Sequence, residues 1–198
     1  MTYEEKMDHL LHIETGGSIR SKVTVHHNGY EPTDYKILDL LIEKNLFNKE
    51  DVVIDFGCGK GRVDFYLRYK IGCRCIGIEY NELIYQFALN NLEKAKMDKI
   101  ELINQDASLY SIPYEANIFY YFNPFSLEIL QKTLHNILNS YYASPRHIYF
   151  IFYYPSDEYI YYLTNVVELN LVEQINTNDL YNTHQRQECI FIFEIKKE

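Results

Sequence analysis

Residues 51–62, DVVIDFGCGKGR, concentrate the groups in this chain best suited to chemistry. A β-branched apolar run ends at Asp55, and glycines follow at 57, 59 and 61, with Cys58 between the first two. A backbone without Cβ atoms turns sharply and approaches a ligand closely. A helix that begins after such a turn offers its free N–H groups and positive dipole end to the ligand. Dinucleotide enzymes use this arrangement for a pyrophosphate, commonly in the order GxGxxG. Here the order is DxGxGxG. A carboxylate ahead of the glycines suits a ligand carrying positive charge better than a diphosphate.

Three more polar positions close apolar runs in the same way. Glu79 ends IGIEY, 18 positions after Gly61. A carboxylate about 20 residues beyond such a loop can accept both hydroxyls of a ribose. Asp106, followed by Ala107, ends IELINQDA, where its carboxylate could meet an adenine amine. Asn123-Pro124-Phe125 ends ANIFYYFN. Ligands of open α/β sheets bind at the carboxyl edge of the strands, so four successive strand ends with polar residues define one site.

These residues need a scaffold. VVIDF, CRCIGIEY, IELINQDA, ANIFYYFN and RHIYFIFYY read as strands. RVDFYLRYK, ELIYQFALNNLEKAK and SLEILQKTLHNILNSYY, with their helical spacing, alternate with them. That alternation predicts a parallel sheet covered on both faces. Residues 156–165 form a further helix, and VVELNLVEQINT and QECIFIFEIKK form an antiparallel strand pair at one edge. Upstream, residues 1–14 have helical spacing, with Met7, Leu10 and Leu11 on one side. Thr33 is the expected cap of a helix running to about Lys44, with Ile37, Leu38, Leu40, Leu41 and Ile42 apolar. The whole chain, 1–198, reads as a single domain. Residues 1–32 form an N-terminal helix and a lid-like segment, and 33–198 the core.

On these motifs the chain resembles the Rossmann-like class I S-adenosylmethionine-dependent methyltransferases. The likeness covers about residues 33–155 by motif and the whole chain by element order. It implies an α/β three-layer sandwich with a mostly parallel seven-stranded sheet and an antiparallel terminal strand pair. It implies S-adenosylmethionine as cofactor, whose ammonium and sulfonium suit Asp55. Asp55, Gly57 and Gly59, with Cys58 between, would cradle the methionine end. Glu79 would hold the ribose, Tyr80 would pack on the adenine, Asp106 and Ala107 would lie beside it, and Asn123 beside the transferred methyl. Two other readings stay open: a nicotinamide-dependent oxidoreductase, and a cofactor-binding partner subunit without catalysis.

The acceptor is less marked. Enzymes that methylate planar amines carry an acidic or Asn residue, then Pro-Pro and an aromatic; Asn123, Pro124 and Phe125 form a shortened version and are the candidate catalytic residues. His26 or His27, ahead of the core, could act as a general base or be solvated loop histidines. Arg20, Lys22, Arg62 and Arg74 could form a modest positive rim. RNA, a protein side chain and a small molecule are all open as acceptor.

Net charge narrows the partners. The chain carries −9, and the acidity is uneven: residues 101–198 hold 5 Lys+Arg against 12 Asp+Glu. Avid non-specific nucleic-acid binding needs the opposite balance. The four cysteines form no CxxC pair, so no metal site is expected and buried thiols of a reducing compartment are. No signal core or membrane-length apolar run appears, which predicts a cytoplasmic protein.

Overall fold

A computed structural model of the chain describes residues 1–18, 29–180 and 188–196. His26, His27, Arg20 and Lys22 lie outside the described residues.

Five strands and the helices between them build the parallel part. These are β1 (Val52–Phe56), β2 (Arg74–Glu79), β3 (Ile100–Asn104), β4 (Ile118–Tyr121) and β5 (Tyr149–Tyr153). The connecting helices are α3 (Arg62–Lys70), α4 (Glu82–Ala95) and α5 (Leu127–Ala143). Helices α1 (Tyr3–Leu11) and α2 (Tyr35–Glu43) precede β1, and α6 (Asp157–Asn165), β6 (Leu169–Asn176) and β7 (Cys189–Ile195) follow β5. The sheet order is β3-β2-β1-β4-β5-β7-β6, with β7 antiparallel to both β5 and β6. This is the expected seven-stranded Rossmann-like sheet. Its order reverses between β1 and β4, the switch point where open α/β sheets bind ligands.

Alternate residues of each strand face opposite layers. On one face Phe56, Tyr121 and Phe152, neighbours across β1, β4 and β5, stack with ring centroids 5.0 and 4.7 Å apart. Helices α5 and α6 cover them with Ile129, Leu130, Leu134 and Leu163. On the other face Val53, Cys75, Ile118, Tyr120 and Ile151 pack against Met7, Leu11, Leu38, Phe65 and Tyr66 of α1, α2 and α3. Asp55, two positions after Val53, shares this second face, beneath α3. Buried tyrosines of both faces bond their hydroxyls, as Tyr66 does to Asp39 (2.5 Å) and Tyr121 to Thr133 (3.2 Å).

Two local expectations are corrected. Thr33 does not cap α2: the N-cap is Asp34, and the Thr33 hydroxyl is buried 2.9 Å from that of Tyr120. Leu10 does not join the apolar side of α1; Met7 and Leu11 are buried there while Leu10 faces out. The Thr2–Glu5 capping box closes the start of that helix by satisfying two otherwise free N–H groups. Among the described residues, no helix is long and apolar enough to cross a membrane.

Candidate active site

The turn after β1 is tied to the end of β2. The N–H groups of Gly57 and Cys58 donate to the carbonyl of Ile78 at 2.8 and 3.1 Å, and that of Gly61 to the carbonyl of Cys58 at 2.8 Å. Gly57 and Gly59 have φ of 79° and 59°, the left-handed region. Space matters equally: a Cβ on Gly57 would lie 2.5 Å from the Pro124 ring, and one on Gly59 2.2 Å from the Tyr30 ring. The loop is therefore drawn between β4's end and the N-terminal segment.

Above this turn lies a cavity of about 110 Å³ that opens to solvent. Of the residues singled out in the sequence, Asp55, Gly57, Cys58, Glu79, Tyr80, Ala107, Pro124 and Phe125 line it. Gly59 stands behind them, under Tyr30. Asp106 and Asn123 are not part of the lining. Asp106 accepts from the Ser108 N–H (2.8 Å) and hydroxyl (2.7 Å), capping a short 3-10 turn, Ala107–Leu109. Its neighbours Gln105 and Ala107 face the cavity instead. Asn123 occupies a left-handed turn (φ 40°) that presents Pro124 and Phe125. The Tyr159 hydroxyl on α6 holds that turn by donating to the Phe125 carbonyl at 2.6 Å.

Asp55 and Glu79 sit at the ends of adjacent strands, and both are buried. Glu79 Oε2 accepts from the Gly59 N–H (3.0 Å) and Oε1 from the Asn81 N–H (2.7 Å), which fixes its orientation. Burial raises its carboxyl, against those two hydrogen bonds. Burial, and then the charge of Glu79, push Asp55 up to about 8. Two carboxyls held this way disfavour an anionic occupant and gain from a cationic one.

The expected positive rim does not form from Arg62 and Arg74. Arg62 reaches the cavity wall, but it is 4% exposed and its guanidinium is committed elsewhere. It bonds Glu4, donates to the Thr15 hydroxyl (2.6 Å) and the Thr33 carbonyl (3.1 Å), and lies 4.6 Å over the Tyr35 ring. Arg74 begins β2, at the opposite edge of the sheet, and pairs with Glu101 and Glu115. Sequence reading did not single out Tyr120, Phe122, Ile84, Asn81 or Gln105, which also line the cavity. Gly29 to Thr33 close its remaining side.

A methyltransferase domain family model matches residues 47–189. The chain belongs to that methyltransferase family. It is 29% identical over 143 residues to the histone-lysine N-methyltransferase, H3 lysine-79 specific, of Dictyostelium discoideum. That match covers 67% of this chain and 8% of the relative. It is 33% identical over 76 residues to a protein-lysine N-methyltransferase of Saccharolobus islandicus (strain REY15A), covering 35% of this chain and 44% of that protein. The chain thus spans less than half the length of either curated relative. The fold matches a crystal structure of an RNA methyltransferase from Salinibacter ruber in complex with S-adenosyl-L-homocysteine. The TM-score is 0.63 at 18% identity, over 85% of this chain and 95% of that one.

The residues around the cavity fit S-adenosylmethionine. The glycine turn leaves a cradle that a Cβ would fill, two buried carboxyls await positive charge or hydroxyl donors, and Ile78, Ile84 and Ala107 offer an apolar wall for a flat base.

Proposed function

We propose that this chain transfers a methyl group from S-adenosylmethionine to an amine nitrogen, with the lysine side chain of a protein as the acceptor. The pairing of Asp55 and Glu79 at adjacent strand ends, above glycines that touch Pro124 and Tyr30, carries the cofactor reading. Asp55 and the glycine turn would face the methionine end, Glu79 the ribose, and Ala107 with Tyr80 the adenine. The cofactor supplies an electrophilic methyl. The chain's own part is to orient the acceptor nitrogen in line with the methyl–sulfur bond and to exclude water; orientation of this kind is worth up to about 7–11 kcal/mol.

The character of the cavity supports a cationic amine as acceptor. Its wall carries the carboxyls of Glu31, Asp55 and Glu79, and the rings of Tyr120, Phe122 and Phe125. Its lining guanidinium, Arg62, is bonded to Glu4. Rings and carboxylates together attract an ammonium group, which would give up a proton to water or to a carboxylate of the wall before its nitrogen lone pair can attack. The two protein-lysine methyltransferases among the relatives point the same way. A planar-amine acceptor would need the Asn123 side chain at the cavity, whose lining includes Pro124 and Phe125 but not Asn123.

Calorimetric titration with S-adenosylmethionine and S-adenosylhomocysteine tests the cofactor. Absence of binding at millimolar ligand, with the protein folded, would sink it. Transfer of labelled methyl to a lysine-rich protein, lost when its lysines are chemically blocked, tests the acceptor. Label in RNA would overturn the lysine assignment, and cofactor binding without transfer to any acceptor pool would leave a binding subunit.

A further inference from the structure

Beneath the glycine turn lies a carboxyl that the cofactor reading does not use. Asp64, in the first turn of α3, is 1% exposed, and among the described residues no hydrogen-bond donor reaches either of its side-chain oxygens. Buried carboxylates without a donor are costly, so such a group holds its proton. The sequence makes room for it. Asp55 on β1 stands opposite Gly77 on β2, and a Cβ on Gly77 would lie 2.9 Å from Asp64 Oδ2 and 2.8 Å from Cys58 Sγ. The absent side chain of Gly77 is the space the Asp64 carboxyl fills. There it neighbours the carboxyl of Asp55, and two carboxyls buried side by side favour keeping a proton on one of them.

Among the described residues, no cation offsets this pair. Arg62 is turned to Glu4 and Thr15, and the Lys60 ammonium to the Gly16 carbonyl at 2.8 Å. The titratable groups that surround it are Glu79 at the end of β2, Cys58 in the turn, and Cys73 and Cys75 at the start of β2. All are neutral or anionic. Burial raises Asp64 well above the usual carboxylate range, with the charge of Asp55 adding to it. Asp55 has the route to the cavity and Asp64 does not, so their roles divide.

We propose that Asp64 is a positioning residue: as a neutral carboxylic acid it donates its proton to Asp55 and holds that carboxylate in one orientation toward the positively charged end of the cofactor. The inference rests on the cofactor reading above. The arrangement explains how an acidic residue whose neighbours are mostly acidic still presents an ordered carboxylate to a ligand.

The test uses Asp64→Asn, which keeps the shape and a donor, and Asp64→Ala, which removes the donor. S-adenosylhomocysteine binding by calorimetry at pH 7.5 should stay within about threefold of wild type for Asp64→Asn. It should weaken at least about tenfold for Asp64→Ala, the scale of one hydrogen bond to a charged group. Binding by Asp64→Ala equal to wild type would overturn the proposal, as would an equal loss in both variants. A second measurement needs no ligand. A carboxyl that stays protonated in the fold but ionises on unfolding costs stability as pH rises above the ordinary carboxylate range. The thermal midpoint of wild type should therefore fall more steeply from pH 5 to pH 9 than that of Asp64→Asn; parallel curves would overturn the proton assignment. If wild type binds no cofactor, the proposed function fails, and the stability curves still decide whether Asp64 holds a proton.

Discussion

At the scale of single residues, the candidate site holds two carboxyls where water cannot screen them. Asp55 is raised to about 8, first by burial and then by Glu79. A cationic ligand favours the ionised form, so protonation competes with binding below that value. Affinity for S-adenosylmethionine should accordingly climb from pH 6 and level off above about pH 8, measured by calorimetry across buffers. Asp55→Asn and Glu79→Gln should each weaken cofactor binding at least about tenfold, since each removes a charge-assisted contact. Circular dichroism should show the fold unchanged, because the amides replace the carboxyls in shape. Gly59→Ala acts differently. Its left-handed backbone alone makes a Cβ cost about 1–2 kcal/mol, and the Tyr30 ring 2.2 Å away must also move. Urea unfolding should report the lost stability, and S-adenosylhomocysteine titration a lost or weakened site.

At the scale of elements, the N-terminal helix is fastened through α3. Arg62 joins Glu4 of α1, Thr15 after it and Thr33 before α2, while Asp8 accepts from Thr15 and from Tyr35. One buried guanidinium thus gathers three segments around the cavity wall. Breaking a buried pair strands its partners, typically at about 3–5 kcal/mol. Glu4 is half-buried, so Arg62→Ala should fall at the lower end of that range. Hydrogen exchange should show α1 opening well before β1 and β4, and cofactor affinity should drop as Gly29 to Thr33 lose their anchor. Exchange in α1 unchanged by the substitution would show that apolar contacts of Met7 and Leu11 alone dock the helix.

At the scale of the whole molecule, net charge and cavity charge have the same sign. The chain carries −9, and Glu31, Asp55 and Glu79 face the cavity. A field of one sign steers oppositely charged partners, and salt screens it, with a Debye length near 10 Å at 0.1 M. For a lysine-bearing protein acceptor, KM should therefore rise as salt is raised from about 0.02 to 0.3 M, while cofactor affinity changes less because its carboxyls are buried. An acceptor KM insensitive to salt would remove the electrostatic argument for a cationic partner.

The strand ends, the glycine turn and the pair Asp55 and Glu79 were legible in the sequence because each is a local signal. A β-branched run, a turn and a helical period occupy a dozen neighbouring residues, and their order dictates a parallel sheet with those ends on one edge. The same locality misled at Thr33, which has a capping residue's chemistry but spends its hydroxyl on Tyr120, 87 positions away. It misled at Arg62 as well, where a charge beside the loop suggested a rim. Its partner Glu4 lies 58 positions upstream and draws it inward. Asp64 carried no readable signal at all. Its meaning depends on Gly77 standing opposite Asp55, a register that exists only once β1 and β2 pair. The sequence by itself determined the fold class and the polar strand ends that meet at the cavity, since those follow from short-range pattern. Tertiary structure alone decided which charges face the cavity and which are neutralised, because that depends on contacts between residues far apart along the chain.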